Sequence, residues 1–92
     1  MKLKVQFYTQ FKRDVKLAKK RNFDMSLLKN VVNKLSEGKK LEAKYRDHML
    51  TGDYAGYREC HLQPDWLLVY KIVSDTLTLV LARTGTHSDL FK

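Results

Sequence analysis

The sequence predicts an α+β fold: a first strand, two helices, and then an antiparallel sheet with both helices packed on one face. Three observations carry this expectation. The N-terminal segment alternates apolar and polar residues, the segment after it repeats apolar residues at helical spacing, and the C-terminal part holds three apolar runs parted by turn-forming residues.

Leu3, Val5 and Phe7 alternate with Lys2, Lys4 and Gln6, which predicts a strand with one buried face. From Tyr8 onward the period changes. Phe11, Val15 and Ala18 fall on one side of a helix and Lys12, Lys16, Lys19 and Lys20 on another, a basic stripe of the kind that a merely solvated face also shows. Asp24 is placed to cap a second helix, because its short carboxylate can accept the unpaired N–H groups of the following turn. Leu28, Val31, Val32 and Leu35 give that helix its apolar face, and Gly38 ends it as a residue free to turn left-handed. Residues 39–56 read as polar and irregular, with a short extended piece around Tyr45 and Arg46. Three strands follow, over residues 57–62, 66–73 and 77–83, separated by Gln63-Pro64-Asp65 and Ser74-Asp75-Thr76. Connections this short make consecutive strands antiparallel neighbours, and the first strand joins at an edge or beside the last strand.

A chain of 92 residues is expected to form one domain, residues 1–92, around one core. Its 43% hydrophobic residues, single proline and four glycines exclude a disordered composition. Lys and Arg outnumber Asp and Glu by 18 to 10, for a net charge of +8, so a polyanion is the natural partner. Charge alone does not separate nucleic-acid binding from simple solubility. One cysteine, Cys60, excludes an intramolecular disulfide and fits a reducing cytoplasm. The N-terminus lacks the unbroken apolar stretch of a signal peptide, and no later segment approaches a membrane span, so a soluble, cytoplasmic protein is expected.

The candidate chemistry lies in the second half, with His48, His61 and His87 and, near them in sequence, Glu59, Asp65 and Arg83. Strand alternation puts Glu59 and His61 on one face, so Glu59 is placed to orient or charge His61, while Arg58 and Cys60 point to the other face. That alternation argues against a Cys60–His61 nucleophile pair. Cleaving RNA without a metal needs a base for the 2′-hydroxyl, an acid for the leaving 5′-oxygen and a cation for the phosphate. Histidine suits both proton transfers near neutrality, and Arg83 offers a bidentate fork to phosphate oxygens. Each histidine taken singly reads equally well as an ordinary surface residue. No Cys-x-x-Cys or His-x-x-x-His pair is present, so no metal site is expected. Trp66 either stacks on a base or fills the core, and Lys12 and Lys16 are candidates for contact with ribosomal RNA phosphates.

The strings Asp47-His48-Met49-Leu50, Gly56-Tyr57-Arg58-Glu59-Cys60-His61, Pro64-Asp65-Trp66-Leu67-Leu68-Val69-Tyr70 and Arg83-Thr84-Gly85-Thr86-His87-Ser88-Asp89-Leu90-Phe91 closely resemble the YafQ family of the RelE superfamily of bacterial toxins. The likeness extends through residues 12–21 and covers nearly the whole chain. The resemblance implies a RelE-like fold and a type II toxin that cuts messenger RNA at codons in the ribosomal decoding site, checked by an acidic antitoxin. It points to His48, His61, Asp65 and His87 as an acid-base set needing no cofactor, with Arg83 stabilising the phosphate and Trp66 and Phe91 in support. His87 is the better candidate for general acid, and His48 or His61 for base. Glu59 stands where related sequences often carry Asp, which gives it a supporting role. Two other functions compete: gyrase inhibition by contact alone, as in ParE-like relatives of the same fold, and a non-catalytic basic module that binds nucleic acid.

Overall fold

The computed structural model describes residues 2–91. The elements run β1 (Lys4–Phe7), α1 (Thr9–Lys20), α2 (Met25–Ser36), β2 (His48–Met49), β3 (Arg58–Gln63), β4 (Trp66–Val73), β5 (Thr78–Gly85) and α3 (His87–Leu90). The strands form one five-stranded sheet in the order β1-β5-β4-β3-β2.

Strands β2 to β5 are antiparallel neighbours, as short connections require. β1 takes the edge beside β5 and runs parallel to it, with Lys4 opposite Thr78 and Phe7 opposite Leu81, so the sheet is mixed. The crossover between these parallel strands contains all the intervening structure. β1 does not have the buried face its alternation suggested: Val5 and Phe7 are exposed, Phe7 by 51%. Its apolar side borders an open groove, where Phe7 stacks on Phe11 of α1 with ring centres 5.8 Å apart.

α2 is built as its sequence suggests. The Asp24 carboxylate accepts the Ser26 backbone N–H at 3.0 Å, and Gly38 adopts φ 75°. The Gly38 and Lys39 amides then bond back to the carbonyls of Leu35 and Lys34, closing the last turn. Residues 45–46 are not extended. A 3₁₀ turn covers Ala43–Tyr45, Arg46 turns left-handed at φ 51°, and the extended piece lies further on, at His48–Met49.

The main core lies between the sheet and α1 and α2, where Phe11, Ala18, Leu28, Val31 and Leu35 meet Cys60, Leu62, Trp66, Leu68, Tyr70, Leu79 and Leu81. A second, smaller cluster of Leu67, Val69, Ala82 and Leu90 covers the opposite face, with Leu50, Tyr54 and Tyr57 packed on it. Residues 59 and 61 of β3 therefore point away from α1 and α2, into the face on which α3 and residues 50–57 pack. No helix among the described residues is long and apolar enough to cross a membrane.

Candidate active site

The three histidines meet on this second face. The ring centres of His48 and His61 are 6.2 Å apart, and those of His61 and His87 are 5.6 Å apart. Together with Leu50, Thr51, Glu59 and Phe91 they line a shallow pocket of about 440 Å³.

His48 and Glu59 are direct partners across β2 and β3, so their side chains rise side by side. His48 Nδ1 lies 2.7 Å from the Arg46 carbonyl, which can only accept, so this nitrogen carries the hydrogen. Nε2 then stands 3.3 Å from the buried Glu59 carboxylate. Attraction between these two atoms needs a proton on one of them. Glu59 thus contacts His48, whereas strand alternation pointed to His61; it reaches His61 by charge alone.

His61 occupies the centre. Burial pushes its pKa below the ordinary histidine value and outweighs the opposing pull of Glu59, with the charges of Arg46, His87 and His48 adding to the decrease. Its Nδ1 is enclosed and meets no hydrogen-bond partner, which leaves Nε2 as the nitrogen able to exchange a proton. A neutral imidazole with one open nitrogen has the character of a base.

His87 opens α3, and Asp65 holds it twice: one carboxylate oxygen lies 2.9 Å from the His87 backbone N and 2.6 Å from Nδ1. The backbone bond, then the ring bond, lowers the Asp65 pKa and keeps it a carboxylate. Nδ1 must therefore donate, and Nε2 faces the pocket, the arrangement by which a carboxylate fixes an imidazole's orientation. α3 is itself clamped. Thr86 and Asp89 form a reciprocal capping box, and the Asp89 carboxylate takes two bonds from Arg21, of 2.7 and 3.3 Å, that with the cap hold its pKa near 2. A Cβ on residue 85 would stand 3.0 Å from that carboxylate, so Gly85 lets the box close.

The other residues singled out in the sequence lie elsewhere. Arg83 does not join the histidines: its Nε and Nη2 bond Asp14 of α1 at 2.8 and 3.3 Å, which takes up the fork expected to face phosphate. Asp14 also accepts the Thr84 N–H and a bond from Gln10. Trp66 is 1% exposed and packs on Phe23, with ring centres 5.0 Å apart, so it cannot offer a face to a base and acts as a core residue. Phe91 borders the pocket, in edge-to-face contact with Tyr54. Lys12 and Lys16 line the groove on the helix side, on the face of the sheet away from the histidines.

Sequence reasoning missed two residues. Asp14 falls on the apolar stripe of Phe11, Val15 and Ala18, where a carboxylate requires a partner, and that placement was a usable signal. Arg46 is an exposed cation whose charge reaches His61 and whose carbonyl orients His48; nothing in its sequence position marks it. Dispersed spacing also hid a possible ligand set. Glu59, His61 and His87 each offer one ligand atom, and these atoms lie within 4.8 Å of one another.

Fold and site define a small basic α+β protein with a histidine-carboxylate pocket on the open face of a mixed sheet. Residues 3–92 match the family model described as the bacterial toxin of a type II toxin-antitoxin system, YafQ, and the chain belongs to that family. It is 43% identical over 88 residues to the mRNA interferase toxin YafQ of Escherichia coli K12, covering 95% of this chain and 94% of that protein. YafQ in the crystal structure of the E. coli DinJ-YafQ toxin-antitoxin complex superposes with a TM-score of 0.91 at 41% identity, over 100% of both chains. The metal-bound toxin from Helicobacter pylori superposes with a TM-score of 0.91 at 45% identity, over 97% of this chain and 99% of that one. These likenesses agree with the RelE-like fold that the sequence implied.

Proposed function

We propose that this chain is an mRNA interferase: a ribosome-dependent endoribonuclease that cuts messenger RNA by acid-base catalysis with no metal taking part. The observation that carries this reading is the convergence of His48, His61 and His87, each with a different hydrogen-bond environment, on one pocket. His61 Nε2, or His48 backed by Glu59, takes the proton of the 2′-hydroxyl; the 2′-oxygen attacks phosphorus; His87 Nε2 protonates the leaving 5′-oxygen. The products are a 2′,3′-cyclic phosphate and a 5′-hydroxyl. Arg46, which has no ion-pair partner among the described residues, supplies a cation whose charge reaches His61. Arg83 adds field from behind Tyr54, with its orientation fixed by Asp14. Asp65 and Glu59 position histidines, and Phe91 borders the nucleotide. Primer extension on a defined message in a purified translation system, with and without ribosomes, tests the reading. Ribosome-dependent cuts support it; an intact message in every condition leaves gyrase inhibition or plain binding as the better account.

A divalent ion seated on Glu59, His61 and His87 would occupy the lone pairs that proton transfer requires. Copper, which imidazole binds most strongly among the first-row divalent ions, is therefore expected to stop cleavage, and a chelator to restore it. A rate that rises with added metal would sink the metal-independent mechanism.

The partner is an acidic antitoxin, a reading supported by the DinJ-YafQ complex and by charge. The groove lined by Phe7, Val15, Met25 and Val32 and rimmed by lysines suits an amphipathic acidic helix. Because it lies across the sheet from the histidines, binding there anchors the antitoxin, and closing the pocket falls to another part of its chain. Phe7→Asp is expected to weaken the complex about tenfold or more, the scale of a hot-spot residue, and to leave cleavage unchanged. Titration calorimetry with the antitoxin reads this directly, and unaltered affinity would place the contact elsewhere.

A further inference from the structure

The face that carries the histidine pocket also carries a row of aromatic side chains, of which the mechanism uses only the first, Phe91. Phe91, at the pocket rim, packs edge to face on Tyr54, with ring centres 5.5 Å apart. Tyr54 packs in the same way on Tyr57 at 6.1 Å, and Tyr57 on Tyr8 at 6.4 Å. The row leads from the pocket to the junction of β1 and α1. Its two ends, Phe91 and Tyr8, are each 40% exposed.

At the far end the Tyr8 and Tyr57 hydroxyls lie 2.6 Å apart, and the Lys71 ammonium sits 4.9 Å from the Tyr57 ring centre. A side-chain hydrogen bond with Tyr8, then the nearness of Tyr57, raises the Lys71 pKa, and no carboxylate pairs with it among the described residues. The Tyr57 hydroxyl, with help from Lys71, lowers the Tyr8 pKa. Rings serving only as core would be enclosed. Here the part-exposed Tyr8 stands beside an ammonium that no carboxylate neutralises among the described residues, the pairing by which proteins hold single-stranded nucleic acid: bases stack on aromatics and phosphates meet cations.

We propose that Tyr8, Tyr57 and Lys71 form a second nucleotide subsite, joined to the histidine pocket through Tyr54 and Phe91, that binds the single-stranded RNA running on from the scissile phosphate. This assignment rests on the endoribonuclease reading for its direction, and its test is separable from that reading. Fluorescence anisotropy would follow the binding of labelled 2′-O-methyl RNA, which cannot be cut, in a short strand that fills the pocket and a longer one that reaches Tyr8. Tyr8→Ala is expected to weaken the longer strand about five- to tenfold, the lower part of the range for one stacked base, and to leave the short strand unchanged. Tyr8→Phe keeps the ring and is expected to bind as the native chain does. Lys71→Gln is expected to make the fall of log K with log salt shallower by about 0.7, the loss of one phosphate contact on a single strand. If Tyr8→Ala unfolds, as a circular dichroism melt would reveal, the Lys71→Gln slope decides alone. Binding of the longer strand by Tyr8→Ala as tightly as by the native chain would overturn the subsite, and so would loss of antitoxin binding with RNA binding intact, which would make the row a protein interface. A native chain that binds the longer strand through Tyr8 but never cuts a message would retain the subsite and refute the enzyme.

Discussion

Replacing His87 with alanine is expected to lower cleavage of a defined message by about 10²- to 10⁴-fold, the contribution of one well-placed acid or base. The protein should remain folded. The His87 side chain is 52% exposed, and its one side-chain partner, Asp65, is 67% exposed, so water can take over the freed oxygen. The Asp65 bond to the backbone N–H of residue 87 survives the substitution, as do the capping box and the Arg21 clamp that set α3 in place. What disappears on the proposed mechanism is the proton that Nε2 delivers to the leaving oxygen. Single-turnover kinetics by primer extension, beside antitoxin binding as a measure of fold, isolates that loss. Native-like cutting by the variant would exclude His87 as the acid. With His61 as the base, it sets the acid limb of the dependence of cleavage rate on pH. Its folded pKa lies below the ordinary value of about 6.5, so it stays neutral as the pH falls through that value, and the base should fail only in more acid solution.

Trp66→Ala is expected to cost about 3–5 kcal/mol of stability, the range for deleting a large buried aromatic ring. The indole is enclosed, packs on Phe23 and has an Nε1 without a hydrogen-bond partner, so the loss is one of packing, with no hydrogen bond to add. Domains of this size are stable by only about 5–15 kcal/mol, so the variant should be close to unfolding. Urea denaturation measures it, and Trp66→Phe should recover much of the difference. A cost under about 1 kcal/mol would mean that the ring does not fill the core. Activity should fall with the folded fraction and return on addition of a ligand that binds only the folded chain.

Most of the fold was legible because it is written in local terms. Helical spacing located α1 and α2, the Asp24 cap and Gly38 marked the limits of α2, and turn residues separated β3, β4 and β5. What local patterns do not contain is which groups from distant segments meet. Alternation gave β1 an inner face, but whether that face is covered depends on how far the helices extend over the edge strand. The same limit applied to the site. Period two correctly placed Glu59 and His61 on one face, yet Glu59 contacts the residue opposite it on β2, a register no single strand reveals. Arg83 read as a free fork because its partner, Asp14, stands far away in sequence, and only the odd placement of a carboxylate on an apolar stripe hinted at it. The meeting of the histidines follows from the sheet order and from the tail folding back through α3.

The parallel ladder between Lys4–Phe7 and Thr78–Leu81 also bears on the order of events in folding. It joins the start of the chain to its last strand, and the bonds from Asp14 to Arg83 and from Arg21 to Asp89 reach nearly as far, across 69 and 68 residues. Long-range closures of this kind carry a large loop entropy and form late. The last of them fixes α3, and with it His87. On the proposed mechanism, competence therefore arrives with global folding: a chain whose N-terminal helices have formed but whose ends have not met does not yet hold His87 in the pocket, and is expected not to cut.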